Sequence, residues 1–282
     1  MTKITDTTIS RPVSDTYPWY DSLWLENYSR ARKIIEEVKP EILDEFESSM
    51  RVFHTRENFR EIIFDEFFDE EKIGKIRQEI NSLKPDQLEL HEARDFRRFV
   101  VHNNPFFSSL QREITPIISD SLGEPVEVSY NFLSLYKSGG ICPMHMDSPE
   151  AKWTLDICLD QTTPWPIFFS RPYSWHEITD MDWSAPDWQE SVKNSTDSDF
   201  RSHTLYPGQA ILFSGSSQWH YRDKISEAGP NTKCDLLFFH FIPKNTSRLL
   251  NAKNWADIFG VSQLNQLPST DLSDHLNTCI SD

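Results

Sequence analysis

The stretch Tyr136-Lys-Ser-Gly-Gly-Ile-Cys-Pro-Met-His145-Met-Asp147 holds two metal-binding residue types separated by one residue. Side chains alternate faces along an extended backbone, so His145 and Asp147 would point to the same side of a strand. The preceding Gly139-Gly140 pair allows a tight turn before them, because glycine adopts backbone conformations closed to other residues. The stretch therefore predicts a strand that presents an imidazole and a carboxylate to one ion.

A third candidate ligand comes later in the chain, in Gln209-Ala-Ile-Leu-Phe-Ser-Gly-Ser-Ser-Gln-Trp-His220-Tyr-Arg222. An apolar run, a turn of small residues and then a histidine are typical of a strand that brings a ligand across a barrel. Two histidines and one carboxylate form the facial triad of non-haem Fe(II), which leaves coordination positions open. We therefore predict a metal site at His145, Asp147 and His220.

The order of these motifs resembles the Fe(II)/2-oxoglutarate-dependent dioxygenase superfamily. The first stretch contains Tyr-x-x-Gly-Gly followed by His-x-Asp. The second comes directly after Pro-Gly and contains an apolar run and His220, and these are followed by a basic residue and a final apolar strand. The resemblance covers about residues 59–243 and includes the strand-then-helix opening that starts at Phe59. It implies bound Fe(II), 2-oxoglutarate as co-substrate and O₂ as oxidant. It also implies that Asp147, which related halogenases lack, favours hydroxylation, desaturation or a similar oxidation.

The resemblance requires a cation for the far carboxylate of 2-oxoglutarate, and two residues compete for this role. Arg222 follows His220 by two residues, so it faces the same interior, and its planar fork suits a carboxylate. Lys233 starts the last predicted strand, near where the superfamily usually places its Arg or Lys. Asp235 would share the face of Lys233 and repel an anion. We therefore favour Arg222 and keep Lys233 as the alternative.

Four further residues are candidates for contact with the co-substrate or the substrate. The resemblance makes Tyr136 a hydrogen-bond donor to 2-oxoglutarate, and an aromatic core residue is the alternative interpretation. Trp153, Arg171 and Trp219 are candidates for substrate contact, although tryptophans more often serve packing. Residues 171–202 are predicted to form a long tryptophan-containing loop that could cover the pocket.

Composition limits the class of protein. The chain has 282 residues, 38% hydrophobic and 13% aromatic, which predicts a folded globular protein. Its formal net charge of −16 disfavours nucleic acid and anionic membrane surfaces as partners. Arg97 and Arg98 could meet an acidic substrate, but a solvated charge pair is the favoured interpretation.

The cysteines and the N-terminus predict the compartment. Four widely spaced cysteines without a C-x-x-C pair indicate reduced thiols rather than a disulfide framework: Cys142, Cys158, Cys234 and Cys279. The first residues lack a continuous apolar core, and no apolar run reaches about eighteen residues. We therefore expect a cytoplasmic protein with neither a signal peptide nor a membrane span.

Hydrophobic periodicity divides the chain into helical and extended parts. Residues 1–20 are predicted to be a surface arm, and residues 22–38 a helix. Further helices are predicted after Asp69, after Asn104 and over 251–259. From Val126 the period changes to two, which predicts short antiparallel strands at 126–136, 153–159, 166–170, 203–206, 209–213 and 234–242.

These elements predict a mainly β protein with flanking helices, built around a double-stranded β-helix, or jelly roll. Residues 1–58 would form an arm and supporting helices, 59–243 the dioxygenase core, and 244–282 a C-terminal helix and tail, all in one compact domain. The predicted activity is oxidation, most simply hydroxylation, of an unactivated C–H bond of a small molecule such as an amino acid derivative or specialised metabolite, with release of succinate and CO₂. Two alternatives remain: a hydroxylase of protein or peptide side chains, and a non-enzymatic cupin-like protein that binds a metal or ligand. The identity of the substrate and the oligomeric state are not predicted.

Overall fold

A computed structural model describes residues 14–225, 229 and 231–268. The strands predicted from the two-residue period are present, with ends shifted by a few residues. The strands of the described chain are β1 Ile62–Phe64, β2 Arg98–His102, β3 Val126–Lys137, β4 Cys142–His145, β5 Trp153–Gln161, β6 Ile167–Pro172, β7 Arg201–His203, β8 Ala210–Phe213, β9 Gln218–Arg222 and β10 Lys233–Pro243.

The strands form two antiparallel sheets. The large sheet has the order β1-β8-β5-β10-β3-β2, and the small sheet has the order β4-β9-β6-β7. From β3 onward the chain passes back and forth between the two sheets, which is the topology of a double-stranded β-helix. The predicted jelly-roll fold is therefore confirmed.

The large sheet separates two hydrophobic environments, because residues of its central strand alternate between its faces. On β10, Leu237 and Phe239 belong to the cluster that includes helix residues Ile76 and Ile114, whereas Leu236 packs on the side of the small sheet. Two helices cover the outer face, α3 Glu70–Ser82 and α4 Pro105–Leu122. Both begin as predicted, since Asp69 accepts a hydrogen bond from the Lys72 amide and Asn104 accepts one from the Phe106 amide.

Both ends of the described chain cover the outer face of the small sheet. The N-terminal part supplies α1 Leu23–Val38 and α2 Leu43–Met50, and the C-terminal part supplies α7 Ser247–Leu250 and α8 Trp255–Phe259. Trp24 joins the two parts, because its indole N–H donates to the Leu250 carbonyl at 2.7 Å and its ring packs on Trp255. The described parts of the predicted 1–58 and 244–282 segments thus form one layer, while residues 1–13 and 269–282 lie outside the described chain.

The predicted loop over 171–202 is largely ordered into two short helices, α5 Trp175–Asp180 and α6 Trp188–Asn194. Ser174 and Glu177 form a capping box that starts α5. Trp183 and Trp188 pack on Trp219, on the outer side of the small sheet. The segment therefore packs against the fold rather than forming the predicted roof over a pocket.

The predicted surface arm is also wrong for its described part. Tyr17 and Trp19 are each only 3% exposed. Trp19 contacts the ring of Trp219 with a centroid distance of 4.8 Å. Apolar burial of these rings holds residues 14–22 against the small sheet.

A partly buried histidine gives the fold a specific sensitivity to acid. His54 packs edge-on against Trp175 at 4.6 Å, and its Nε2 atom has no hydrogen-bond partner among the described residues. Burial, with the nearby His176 and Lys152, lowers the pKa of His54 to about 4. The unfolded chain, whose histidines titrate near 6.5, therefore binds more protons between about pH 6.5 and 4, so acid in this range favours unfolding.

We expect His54→Gln to remove part of this acid sensitivity, because glutamine does not titrate. Between pH 7 and pH 4.5, the free energy of unfolding of the metal-free wild type should fall by about 1 to 2 kcal/mol more than that of the variant, after allowance for partial exposure. Urea unfolding of both proteins at the two pH values measures this difference. Equal losses in both proteins would contradict the assignment.

Candidate metal centre and its cavity

The three predicted metal ligands lie together between the two sheets. The antiparallel pairing of β4 and β9 sets His145 opposite His220, and Asp147 follows β4 by two residues. Asp147 Oδ1 lies 3.2 Å from His145 Nε2 and 3.7 Å from His220 Nε2. One ligand atom from each residue falls within 4.8 Å of the others. Ligands about 2.1 Å from one ion at right angles are separated by about 3 Å, so this set is close to a metal-binding arrangement.

Backbone carbonyls orient both imidazoles. His145 Nδ1 is 2.8 Å from the Pro143 carbonyl oxygen, and His220 Nδ1 is 2.9 Å from the Gln218 carbonyl oxygen. Each Nδ1–H therefore donates to the residue two positions earlier, and both Nε2 atoms face the shared point, where that of His145 also contacts the Tyr20 hydroxyl. The donor set of two such imidazoles and one carboxylate fits Fe(II), with further positions open.

The electrostatics of the site keep two of the three ligands in their metal-binding forms. Burial alone would raise the pKa of the Asp147 carboxyl, but His220 and His145 hold it well below its usual range. Burial, aided by His145, lowers the pKa of His220 to about 4. At neutral pH the carboxylate is therefore ionised and His220 is neutral, which are the forms that bind a metal. His145 differs: burial would lower its pKa, but Cys142 and Asp147 raise the pKa to about 10, so metal binding must displace a proton from this ring.

The loop before β9 packs closely against Asp147. The Asp147 amide donates to the Gly215 carbonyl at 2.9 Å. A side chain at Gly215 would place its Cβ 2.2 Å from Asp147 Oδ2 and 2.5 Å from the Ala151 carbonyl. Glycine is required here because the two segments approach too closely for any other residue.

A cavity extends from the triad between the sheets. Its wall is partly aromatic and contains two arginines. Besides the triad, it is lined by Tyr20, Arg98, Tyr130, Phe132, Tyr136, Cys142, Thr154, Ile167, Phe213, Arg222, Phe238 and His240. The structure thus brings two predicted co-substrate contacts, Arg222 and Tyr136, to the same cavity as the metal ligands.

Arg222 is buried and held in place by two acceptors. Its Nη2 atom donates to Asp156 Oδ2 at 2.6 Å, and its Nη1 atom donates to the Trp165 carbonyl. Burial raises the pKa of Asp156, although Arg222 opposes the shift. A guanidinium carries five N–H groups, so Arg222 retains donors for a further anion.

Lys233 lies elsewhere. Its neighbours Cys234 and Leu236 pack on the cavity side of β10, so strand alternation turns Lys233 to the opposite face. There its Nζ atom contacts Asp160 at 2.7 Å and Asp235 at 3.1 Å. The alternative co-substrate contact is thus separated from the metal ligands by the sheet itself.

The three residues predicted to contact substrate do not line the cavity. Trp153 packs on Phe59 on the outer side of the large sheet, with its ring 5.0 Å away. Trp219 belongs to the tryptophan cluster outside the small sheet. Arg171 stacks on Tyr173 and pairs with Glu177 at 2.7 Å. Strand alternation explains why the Trp219 side chain points outward, because its neighbour His220 points inward.

Tyr20 and Arg98 are two of the cavity residues that the sequence did not predict. Tyr20 reaches the site from the N-terminal segment, where its ring stacks on His145 at 4.1 Å and its hydroxyl lies 2.6 Å from Nε2. Arg98 was expected in a solvated pair, but it is only 6% exposed. The signal for Arg98 was its position before Phe99-Val-Val, an apolar run that forms β2. No local pattern marks Tyr20, since its contact depends on a distant part of the chain.

Comparison with known proteins gives only distant similarities. No family model and no curated protein matches the chain. Among solved structures, EctD from S. alaskensis with bound Fe is 13% identical, with a TM-score of 0.48 over 65% of this chain and 72% of that one. HygX from Streptomyces hygroscopicus with nickel, 2-oxoglutarate and hygromycin B is 10% identical, with a TM-score of 0.48 over 70% and 87%.

A third similar structure is SnoK, a non-heme alpha ketoglutarate dependent carbocyclase from nogalamycin biosynthesis. It is 10% identical, with a TM-score of 0.47 over 67% of this chain and 85% of that one. Among the described residues, no helix combines the length and apolar character needed to cross a membrane.

We expect Gly215→Ala to weaken metal binding, because the added methyl group must displace Asp147 or the Ala151 carbonyl. The affinity for Fe(II), measured by anaerobic titration calorimetry, should fall by about tenfold or more. Gly74→Ala is the matched control, since a methyl group there meets nothing within 4 Å in the middle of α3. It should leave metal affinity unchanged and raise stability by up to about 1 kcal/mol. Unchanged metal affinity in both variants would contradict the role of Gly215.

Proposed function

We propose that this protein is an Fe(II)- and 2-oxoglutarate-dependent dioxygenase that hydroxylates an unactivated C–H bond of a small molecule. The observation that carries the proposal is the convergence of His145, Asp147 and His220 beside a cavity that also contains Arg222 and Tyr136. A triad with open positions is the ligand set through which iron binds a co-substrate and O₂. The adjoining cavity supplies a cation for a dicarboxylate.

The three ligands would hold iron through two Nε2 atoms and one carboxylate oxygen. Bound iron would supply O₂ activation coupled to decarboxylation of 2-oxoglutarate, which yields succinate, CO₂ and the hydroxylated product. The chain's own contribution is geometric, because the Pro143 and Gln218 carbonyls fix both rings before the metal arrives. Close packing against Gly215 fixes the carboxylate in the same way.

Arg222 would bind the far carboxylate of 2-oxoglutarate. It stands two residues beyond His220 on the same face of β9, about 7 Å along the strand, a span that suits a five-carbon diacid. Asp156 and the Trp165 carbonyl fix the guanidinium plane, so little conformational freedom is lost when the ligand binds. The orientation of the fork would select a carboxylate over other anions.

Tyr136 would donate a hydrogen bond to the same co-substrate. Its hydroxyl oxygen accepts a hydrogen bond from Arg98 Nη1 at 2.6 Å. Burial raises the pKa of Tyr136, although Arg98 opposes the shift, so the hydroxyl keeps its proton at neutral pH. With its oxygen already accepting, the phenol is available as a donor to a ligand.

The enclosed cavity supports a small-molecule substrate rather than a side chain of a folded protein. Tyr20 covers His145, and Phe96 packs against Tyr20 with a centroid distance of 5.3 Å. These two rings narrow the access to the triad, which favours a small molecule over a polypeptide segment.

Removal of one ligand tests the metal-dependent activity. His220→Ala should abolish iron-dependent succinate formation and the weak visible absorption that Fe(II) and 2-oxoglutarate produce together in the absence of O₂. His176→Ala is the matched control, because His176 is exposed on α5 and should retain both signals. A wild type that binds metal but never develops the absorption band would instead be a cupin-like binding protein.

A second pair of variants tests the carboxylate contact. Arg222→Lys keeps the charge that neutralises Asp156 but loses the planar fork, so the KM for 2-oxoglutarate should rise by about tenfold. Lys233→Met removes the competing cation and should leave this KM unchanged. Succinate formation at varied 2-oxoglutarate measures both values. If Lys233→Met raised this KM and Arg222→Lys did not, Lys233 rather than Arg222 would bind the far carboxylate of 2-oxoglutarate.

A further inference from the structure

The cavity contains a second buried cation that the proposed co-substrate does not explain. Arg98 lies on β2 at the edge of the large sheet, while Arg222 lies on β9 in the small sheet. The guanidinium of Arg98 is surrounded by the rings of Phe96, Phe132 and Tyr136, whose centroids lie 5.1, 5.5 and 5.3 Å away. Burial of a charge is costly, so its place in a cavity wall calls for a binding role or a structural one.

The hydrogen bonds of Arg98 leave one side of the guanidinium available. Nε donates to Glu92, which is itself 4% exposed, and Nη1 donates to the Tyr136 hydroxyl. Nη2 makes no hydrogen bond to another described residue. Two fixed contacts thus orient the group, while its remaining N–H donors suit a carboxylate that enters the cavity.

An aromatic surface leads from Arg98 toward the metal ligands. Phe132 stacks on Phe238 at 4.7 Å and on His240 at 5.4 Å, and Tyr130 stacks on His240 at 4.1 Å. His240 Nδ1 lies 3.0 Å from Thr154 Oγ1, which is 3.5 Å from Asp147 Oδ2. Because these rings stack on one another, they present their edges as an aromatic surface between the cation and the triad, and ring edges favour contact with the face of a planar ligand.

We infer that the substrate is a small monocarboxylate with a flat apolar body, bound by Arg98 through its carboxylate and by the Phe132–His240 rings through its body. This inference rests on the proposed function, because it names the substrate class of the same cavity. Arg98 is then a substrate-binding residue, and Arg222 remains the contact of the co-substrate. The carbon to be oxidised lies at the end remote from the carboxylate, next to the triad.

The first test uses the unmodified protein and two planar probes of the same shape. Cinnamate carries a carboxylate, and cinnamamide is its neutral isostere. Calorimetric titration should show that cinnamate binds at least about tenfold more tightly than cinnamamide, since a charge-assisted bond is lost in the amide. Saturating cinnamate should change the Kd of 2-oxoglutarate, measured anaerobically with Fe(II), by less than about threefold from its value without cinnamate.

The second test removes both buried charges together, so that neither is left unpaired. Arg98→Met combined with Glu92→Met should abolish the preference for cinnamate, whereas 2-oxoglutarate binding should weaken by less than about tenfold, because only the hydrogen bond that orients Tyr136 is lost. Arg222→Lys is the matched variant and should show the opposite pattern. If the double variant does not fold, the competition experiment on the wild type still decides, because it needs no substitution.

Three results would overturn the inference: no preference for cinnamate in the wild type, displacement of 2-oxoglutarate by cinnamate, or a preserved preference in a folded double variant. Cinnamate binding is also measured without metal or 2-oxoglutarate, where the Arg98 site should persist. If the wild type prefers cinnamate over cinnamamide but develops no visible absorption band with Fe(II) and 2-oxoglutarate, the proposed oxygen chemistry is rejected and the carboxylate site is not. If the band develops but the protein shows no preference for cinnamate, only the proposed Arg98 carboxylate site is rejected.

Discussion

The antiparallel pairing of β4 with β9 is the constraint on which the site depends. It sets His145 opposite His220 and Cys142 opposite Arg222, with an irregularity between the two pairs. Because side chains alternate along each strand, the same pairing turns Met144 and Trp219 outward into the hydrophobic layer. Slippage by one residue would exchange the two faces and bury methionine and tryptophan where the metal ligands now stand. Core packing and the chemistry of the site therefore specify the same register.

Paired charges make it possible to bury so much polarity between the sheets. Asp156 accompanies Arg222, and Glu92 accompanies Arg98, with every member of these pairs less than one-tenth exposed. Removal of a single partner would leave an uncompensated charge in a poorly solvated cavity, which is far more costly than loss of the pair. The pairs also fix the planes of both guanidinium groups. An anion that enters the cavity thus meets donors that are already oriented, which reduces the entropy lost on binding.

The metal-binding strands are supported from outside by parts of the chain that are distant in sequence. α1, α8 and the tryptophan cluster bury the outer face of the small sheet, and the segment before α1 carries Tyr20 to His145. The layer is joined by ring contacts such as Trp24 with Trp255 and Trp19 with Trp219. Since side chains in a packed interior have little freedom, this layer restricts the motion of β4 and β9. Precise ligand geometry is therefore a property of the whole described fold.

Hydrophobic periodicity, which is a local property of the chain, was enough to predict the strands from Val126. Capping residues were enough to predict the helix starts at Asp69 and Asn104. The spacing of metal-binding residue types predicted the triad of His145, Asp147 and His220. The run of short antiparallel strands also predicted the jelly-roll topology, and the spacing of two residues from His220 predicted that Arg222 faces the interior. Only the tertiary structure decided what depends on long-range contact: the outward turn of Lys233, the burial of Arg98, and the contact of Tyr20 with His145. Trp153, Arg171 and Trp219 illustrate the same limit, since the sequence shows that a side chain is aromatic or charged but not which layer it faces. A face is assigned only when the sheets pack, and packing joins residues that no sequence window contains.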